Sequence, residues 1–210
     1  MEETRPLCSE CGRLQPLPRG VDLFRVLGLQ RRLDLQSADL EPRFHALSRE
    51  YHPDRYRVGR SRERLIALEN SSLLNRAYRT LRDPFERAMY LLELEEGRKP
   101  DGKHSPPAAW FEEILEIQEL LEEFSAADEA GRSDLRDLLT ACRARLRDQQ
   151  ARQAAELTGP LFARWDRAAE AGEGGDGERR AVLAEIRRLL DERAYLRRLL
   201  DRLDQALGEA

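Results

Sequence analysis

The tripeptide His52-Pro53-Asp54 stands where one amphipathic helical pattern stops and a second starts. Upstream, Leu40, Phe44, Leu47 and Tyr51 recur at three-to-four spacing, and downstream Leu65, Leu68, Leu74, Ala77 and Leu81 do the same. A proline pushes the residue before it out of the α region, so the tripeptide ends the first helix and lies in a loop. A helical hairpin is the fold this pattern dictates, with an imidazole, a rigid ring and a carboxylate at its exposed tip. Function concentrates at such tips.

The chain's 210 residues suffice for one sizeable core or two small ones. With 36% charged and 40% hydrophobic residues the composition favours a folded, helix-rich protein over a disordered one. The formal net charge of -4, with Arg spread along every helical face, gives no support to nucleic-acid binding. Residues 1–6 are acidic and lack an apolar run, and no segment approaches the roughly 18 apolar residues of a membrane span. A soluble, cytoplasmic protein is expected, with no membrane partner. The 3 cysteines are an odd number and make no disulfide framework.

The chain reads as all-α, because no strand pattern competes anywhere. Residues 1–20, rich in Pro, Gly and Cys, form an irregular N-terminal arm. A first helical domain covers 21–94. Within it Asp22 to Leu29 makes a two-turn helix ending at Gly28. The next helix starts between Ser37 and Asp39, and Pro42 favours the later start because its missing N–H then falls in the first turn. A third helix runs from about Ser61 to Leu81, and Asp83-Pro84 restarts a fourth through Leu92.

Residues 95–107 are a polar, Pro/Gly-rich linker. Beyond it, 108–210 carries long helices over about 108–126, 132–158 and 178–208, a three-helix bundle by periodicity and short connections. Gly159-Pro160 breaks or kinks the second of these, with helix resuming through Leu161, Phe162 and Trp165. Gly172 to Gly177 is a flexible loop.

Asp22-Leu23-Phe24 through Leu27-Gly28-Leu29, followed by Arg43-Phe44, Leu47, Arg49 and Tyr51-His52-Pro53-Asp54-Arg55, resembles the first two helices and loop of a J domain. The run Leu74-Asn75-Arg76-Ala77-Tyr78-Arg79-Thr80-Leu81-Arg82-Asp83-Pro84, then Arg87-Ala88-Met89-Tyr90-Leu91-Leu92, is similar to one subfamily, the iron–sulfur co-chaperone HscB. The resemblance extends over nearly all of 21–210.

It implies a J domain that stimulates ATP hydrolysis by a DnaK/HscA-class chaperone, docking through His52, Pro53 and Asp54 with Arg43, Arg49 and Arg55. Arg43 and Arg49 lie roughly 120° apart on a helix and Arg55 lies beyond the Pro stop, so the three make a broad basic rim rather than one stripe. Such a rim suits steering toward an acidic patch. Asp54 would accept charge-assisted hydrogen bonds from the partner. His52 would serve as donor, packing surface or clamp on the loop. A general base is disfavoured, because no Ser, Cys or second carboxylate is paired with it locally. No catalytic residue is expected. Phe44 and Tyr51 pack the hairpin.

In the second domain Trp110, Ile114, Ile117, Leu121 and Phe124 form a packing seam. Phe111 and Leu115 fall roughly 100–140° from its centre, bordered by Glu112, Glu116, Glu119 and Glu123. Exposed apolar side chains framed by carboxylates suit a protein partner. The resemblance implies that this face holds an IscU-like iron–sulfur scaffold protein through Phe111, Leu115, Glu116, Glu119 and Glu123. Tyr195 completes the patch from the last helix, off the seam of Leu196, Leu200, Leu203 and Leu207. Glu112 departs from the family pattern, which has an aliphatic residue or Met there. Packing of Phe111 and Leu115 on the first domain is the alternative.

Cys8 and Cys11 form a lone Cys-x-x-Cys, whereas tetrahedral zinc takes four ligands, usually from two such pairs. Some relatives carry a zinc module with two pairs, and Cys8–Gln15 resembles the second of them. An unmetallated remnant is favoured over a metal shared between chains, so neither metal nor cofactor is expected. His104 and Cys142 are poorly placed as further ligands, and Cys142 sits in the apolar series Leu135, Leu139, Cys142, Leu146.

The reading is a non-enzymatic co-chaperone that bridges an ATPase chaperone and a cluster scaffold, raising the scaffold's effective concentration at the chaperone. Rival readings are a J protein for a different client, a redox or metal protein resting on Cys8 and Cys11, and an Arg-rich nucleic-acid binder.

Overall fold

A computed structural model describes residues 7–8, 10–56, 61–97 and 110–208. The chain divides into two compact units, Met1–Gly97 and Arg98–Ala210. Most of the expected linker, together with His104, lies outside the described residues. Among the described residues there are eight α-helices and no strand beyond an isolated bridge between Leu7 and Leu14.

The first unit begins with α1 (Leu23–Val26), one turn rather than two. Asp22 caps it by accepting the Phe24 N–H. Gly28, at φ 65°, ends it with nested bonds from Gly28 N to Arg25 O and from Leu29 N to Phe24 O. Helix α2 spans Ser37–Glu50. It starts at the early limit of the expected range, and Asp39 sits in its first turn rather than capping it. Pro42 is tolerated within it because both Pro42 and Ala38, whose carbonyl the ring deprives of a partner, face solvent.

Helix α3 (Ser61–Arg82) returns along α2, and α4 (Pro84–Glu96) folds back on α3. Asp83 starts α4 by accepting the Phe85 and Glu86 N–H groups. The helix continues a turn past Leu92 and ends at Gly97, φ 69°.

The core of this unit corrects the sequence reading of α3. Leu65 and Leu68 are 57% and 50% exposed, and the buried line is Ala67, Asn70, Leu74, Ala77 and Leu81. The arm explains why a polar residue stands in that line. Buried Asn70 accepts the Leu17 N–H (3.0 Å) and donates to the Gln15 carbonyl (2.8 Å). One side-chain amide thus satisfies both backbone groups of an irregular segment, which would otherwise be costly to bury. Leu14 completes the docking, 2% exposed within the first unit's core. Asp22 makes a second tie, accepting from Arg31 (2.5 Å) and from the hydroxyl of Tyr90 on α4, which itself accepts the Leu23 N–H.

The second unit is a bundle of α5 (Phe111–Ala126), α6 (Glu129–Glu156), α7 (Phe162–Glu170) and α8 (Asp176–Leu207). Helix α6 starts three residues before the expected 132, because Asp128 caps it by accepting the Gly131 N–H. Gly159-Pro160 is absorbed by a π-helical turn, Leu157–Leu161. The wider turn accommodates the missing N–H while keeping Leu157 and Leu161 buried, so the chain enters α7 without leaving the bundle.

The glycine-rich loop is tighter than a flexible connection. Gly172–Gly175 forms one 3₁₀ turn, and a Cβ on Gly175 would lie 2.0 Å from the Ala168 carbonyl oxygen. Only glycine allows that approach.

The bundle core joins Ile114, Ile117 and Phe124 of α5, Leu139, Cys142 and Leu146 of α6, and Leu196, Leu199, Leu200, Leu203 and Leu207 of α8. Cys142 is 3% exposed, a small apolar filler within this core. Helix α7 packs on α8, and Arg164 bridges them through Glu178 and Glu185, each at 2.8 Å. That guanidinium holds the Glu185 carboxyl below its ordinary range. No described helix is long and apolar enough to cross a membrane.

Candidate functional site

The hairpin tip is built by the way α2 stops. Pro53 opens a 3₁₀ turn, Pro53–Tyr56, closed by the Arg55 N–H donating to the His52 carbonyl at 3.0 Å. His52 and Asp54 side chains are 57% and 54% exposed. The Asp54 N–H donates to His52 Nδ1 at 3.3 Å, which makes the imidazole a clamp on the turn. An acceptor Nδ1 carries no proton, so this bond and the 3.9 Å His52–Asp54 ion pair exclude one another.

A helix end leaves its last carbonyls without N–H partners. Here three consecutive carbonyls receive side-chain donors. The Arg55 guanidinium donates to Arg49 O (3.2 Å), the Tyr56 hydroxyl to Glu50 O (3.1 Å) and the Ser71 hydroxyl to Tyr51 O (2.8 Å). Two of these donors come from the turn and one from α3. Tyr51 itself is fully buried, which pushes its phenol up to about 12, while Phe44 stacks on Tyr78 of α3 at 4.2 Å.

The basic rim is therefore partly committed to internal bonds. Arg55 holds the end of α2, and Arg43 donates to the Gly28 carbonyl at 3.2 Å. All three of Arg43, Arg49 and Arg55 remain exposed. Sequence reading found the tripeptide but missed Tyr56 and Ser71. Nothing local separates Ser71 from its neighbour Ser72; only the folding of α3 against the turn selects it.

The second candidate surface lies on α5. Phe111 and Leu115 are 51% and 55% exposed, while Ile114, Ile117 and Phe124 turn inward and Trp110 and Leu121 are half-buried against the core. Arg145 on α6 lies 3.7 Å from Glu116, so the stripe Glu112, Glu116, Glu119 and Glu123 borders α5 on the α6 side. Gln153 on α6 meets Glu192 on α8, and Arg136 donates to the Leu207 carbonyl. Arg136 also lies over the Phe124 ring of α5 at 5.8 Å, while Arg145 meets Glu116, so α5 and α8 both run antiparallel to α6. That order places Tyr195 near the level of Phe111. Its ring is half-buried against the same core and carries Arg198 at 5.4 Å.

Cys8 and Cys11 occupy a tight turn closed by Cys8 N to Arg13 O and Gly12 N to Cys8 O, both 2.9 Å. Hydrogen bonds from the Cys11 and Glu10 backbone N–H groups, with the Cys11 side chain, lower the Cys8 thiol below its ordinary value. No group of three or more His, Cys, Asp or Glu is arranged to hold a metal among the described residues.

With this geometry in view, residues 22–90 match the DnaJ domain family. The human co-chaperone protein HscB is similar in structure, with a TM-score of 0.63 and 24% identity, covering 98% of this chain and 91% of that one. Chaperone HscB from Vibrio cholerae matches with a TM-score of 0.57 and 25% identity, over 90% of this chain and 99% of its own. The DnaJ match contains the His52–Asp54 turn, and the structural matches continue through the bundle. Residues 22–90 thus form a DnaJ domain, and the chain as a whole, this domain followed by the helical unit, is similar in fold to both HscB co-chaperones over nearly the full length of each.

Proposed function

We propose that the protein is a cytoplasmic co-chaperone without chemistry of its own. Its His52–Asp54 turn stimulates ATP hydrolysis by a DnaK/HscA-class chaperone, and its α5 face delivers an IscU-like iron–sulfur scaffold to that chaperone. The observation that carries this reading is the turn itself, inside the matched DnaJ domain, with the Asp54 side chain exposed at the hairpin tip. The charge-bearing groups of the turn are arranged to be met by another protein. Nothing in the turn is paired as a nucleophile with a base.

Support for the scaffold face is chemical. Two large apolar side chains stand half exposed on one helix, with a carboxylate stripe on one flank and a half-buried aromatic ring on α8. Protein interfaces are centred on such anchors and rimmed by polar groups. Glu112, exposed on that helix where the family pattern is aliphatic, supports a second reading in which the bundle serves a different client.

The deciding experiment is a chaperone ATPase assay with this protein, with the scaffold, and with both. A bridge raises the scaffold's effective concentration at the chaperone, so the two together stimulate more than the sum of each alone. Purely additive stimulation would sink the bridging role and favour the different client.

A further inference from the structure

The orientation of Asp54 depends on the peptide plane that leaves α2. Tyr51 is the last residue before the tripeptide, with φ -84° and ψ 0°, in the sparsely populated region between helix and extended chain. Its ring is fully buried, so the residue is held from the side-chain end. Its carbonyl marks the peptide plane at the root of the tripeptide: rotating the Tyr51–His52 plane would swing that oxygen and carry His52, Pro53 and Asp54 with it. The proline ring and the bonds within the turn stiffen the tripeptide, so a rotation at its root is passed on to its carboxylate.

The Ser71 hydroxyl donates to that oxygen at 2.8 Å. Arg55 and Tyr56 tie the turn to the Arg49 and Glu50 carbonyls of α2, on either side of this plane, whereas Ser71 bonds the plane's own oxygen from the middle of α3, one residue after the buried Asn70. Ser71 is half-buried, so bulk water competes weakly for the carbonyl.

We propose that Ser71 is a positioning residue for the His52–Asp54 turn, fixing the Tyr51–His52 peptide plane so that Asp54 is presented to the ATPase partner in one orientation. The proposal rests on the reading of this turn as the chaperone-docking element. Ser71 need not touch the partner. Without the hydroxyl the turn samples several orientations, of which only a fraction is competent, and apparent affinity falls by that fraction.

Ser71→Ala tests this cleanly. Alanine is the better helix former, so propensity does not weaken α3. At a temperature well below unfolding, the variant should need five- to tenfold more protein for half-maximal stimulation of the chaperone ATPase, and reach the wild-type plateau. Scaffold affinity should not change. Amide hydrogen exchange at Asp54 and Arg55 should quicken several-fold, and Ser71→Thr, which keeps the hydroxyl, should restore both readouts to within about twofold.

A purely structural role would lower the melting temperature and leave potency and turn exchange at their wild-type values, and that result would overturn the proposal. So would loss of potency that Ser71→Thr fails to restore. A wild-type protein that does not stimulate the ATPase at all would overturn the docking reading itself, a failure visible before any Ser71 variant is compared.

Discussion

The tip of the first unit and the outer face of α5 both expose side chains to solvent, but they are made in opposite ways. At the tip the backbone leaves its helix, and the carbonyls of Arg49, Glu50 and Tyr51 are each met by a side-chain donor from Arg55, Tyr56 or Ser71. On α5 the backbone is ordinary helix, and Phe111 and Leu115 simply stand on the side that the bundle does not cover. One surface is specified by geometry, the other by area. A geometric site should fail all at once when one group changes, while an apolar face should weaken in proportion to what is removed.

The largest effect should come from Asp54→Asn. The amide is nearly isosteric, yet it loses the charge that strengthens hydrogen bonds to a partner. Stimulation of the chaperone ATPase should fall at least about tenfold, equivalent to roughly 1.4 kcal/mol or more, with scaffold binding and thermal unfolding unchanged. Stimulation that survived would mean the tip is not a geometric site of the kind described.

Phe111→Ala with Leu115→Ala should cost about 2–4 kcal/mol of scaffold affinity, from lost apolar burial of two anchors. Calorimetric titration reads this directly, and each single variant should account for part of the loss. Because both side chains are half exposed, the melting temperature should hardly move. Unchanged scaffold binding would remove α5 as the docking face.

The smallest effect distinguishes rim from centre. Glu116 pairs with Arg145 at 3.7 Å, both more than half exposed. Glu116→Gln should change stability by no more than about 0.5 kcal/mol, and scaffold binding by a factor that shrinks as salt is added. A loss as large as that of the apolar pair, persisting at high salt, would show that the carboxylates rather than the apolar side chains anchor the partner.

Much of this was legible in sequence because it is local. Helix stops at His52-Pro53, caps at Asp22 and Asp83 and the packing seam of α5 depend on residues within one or two turns of each other. The tripeptide and the apolar pair were found this way. The exposed Leu65 and Leu68 show where local pattern fails: they share helical spacing with Leu74 and Ala77, yet the buried line at that end of α3 passes through Ala67 and Asn70. A helix buries the face its neighbour covers, and here that neighbour includes residues 14–17, more than fifty positions away in the chain.

By itself the sequence determined an all-α chain with a helical hairpin, a carboxylate at its tip and a second helical unit with an apolar pair beside its seam. Each follows from the helical period and from what proline does to the residue before it. Only the tertiary structure decided that Ser71 and not Ser72 meets the end of α2, that Asn70 fastens the arm, and that Arg43 and Arg55 also serve as internal donors. Those choices belong to hydrogen bonds between segments distant in the chain. Their partners meet only once the helices have packed, so no local pattern records them.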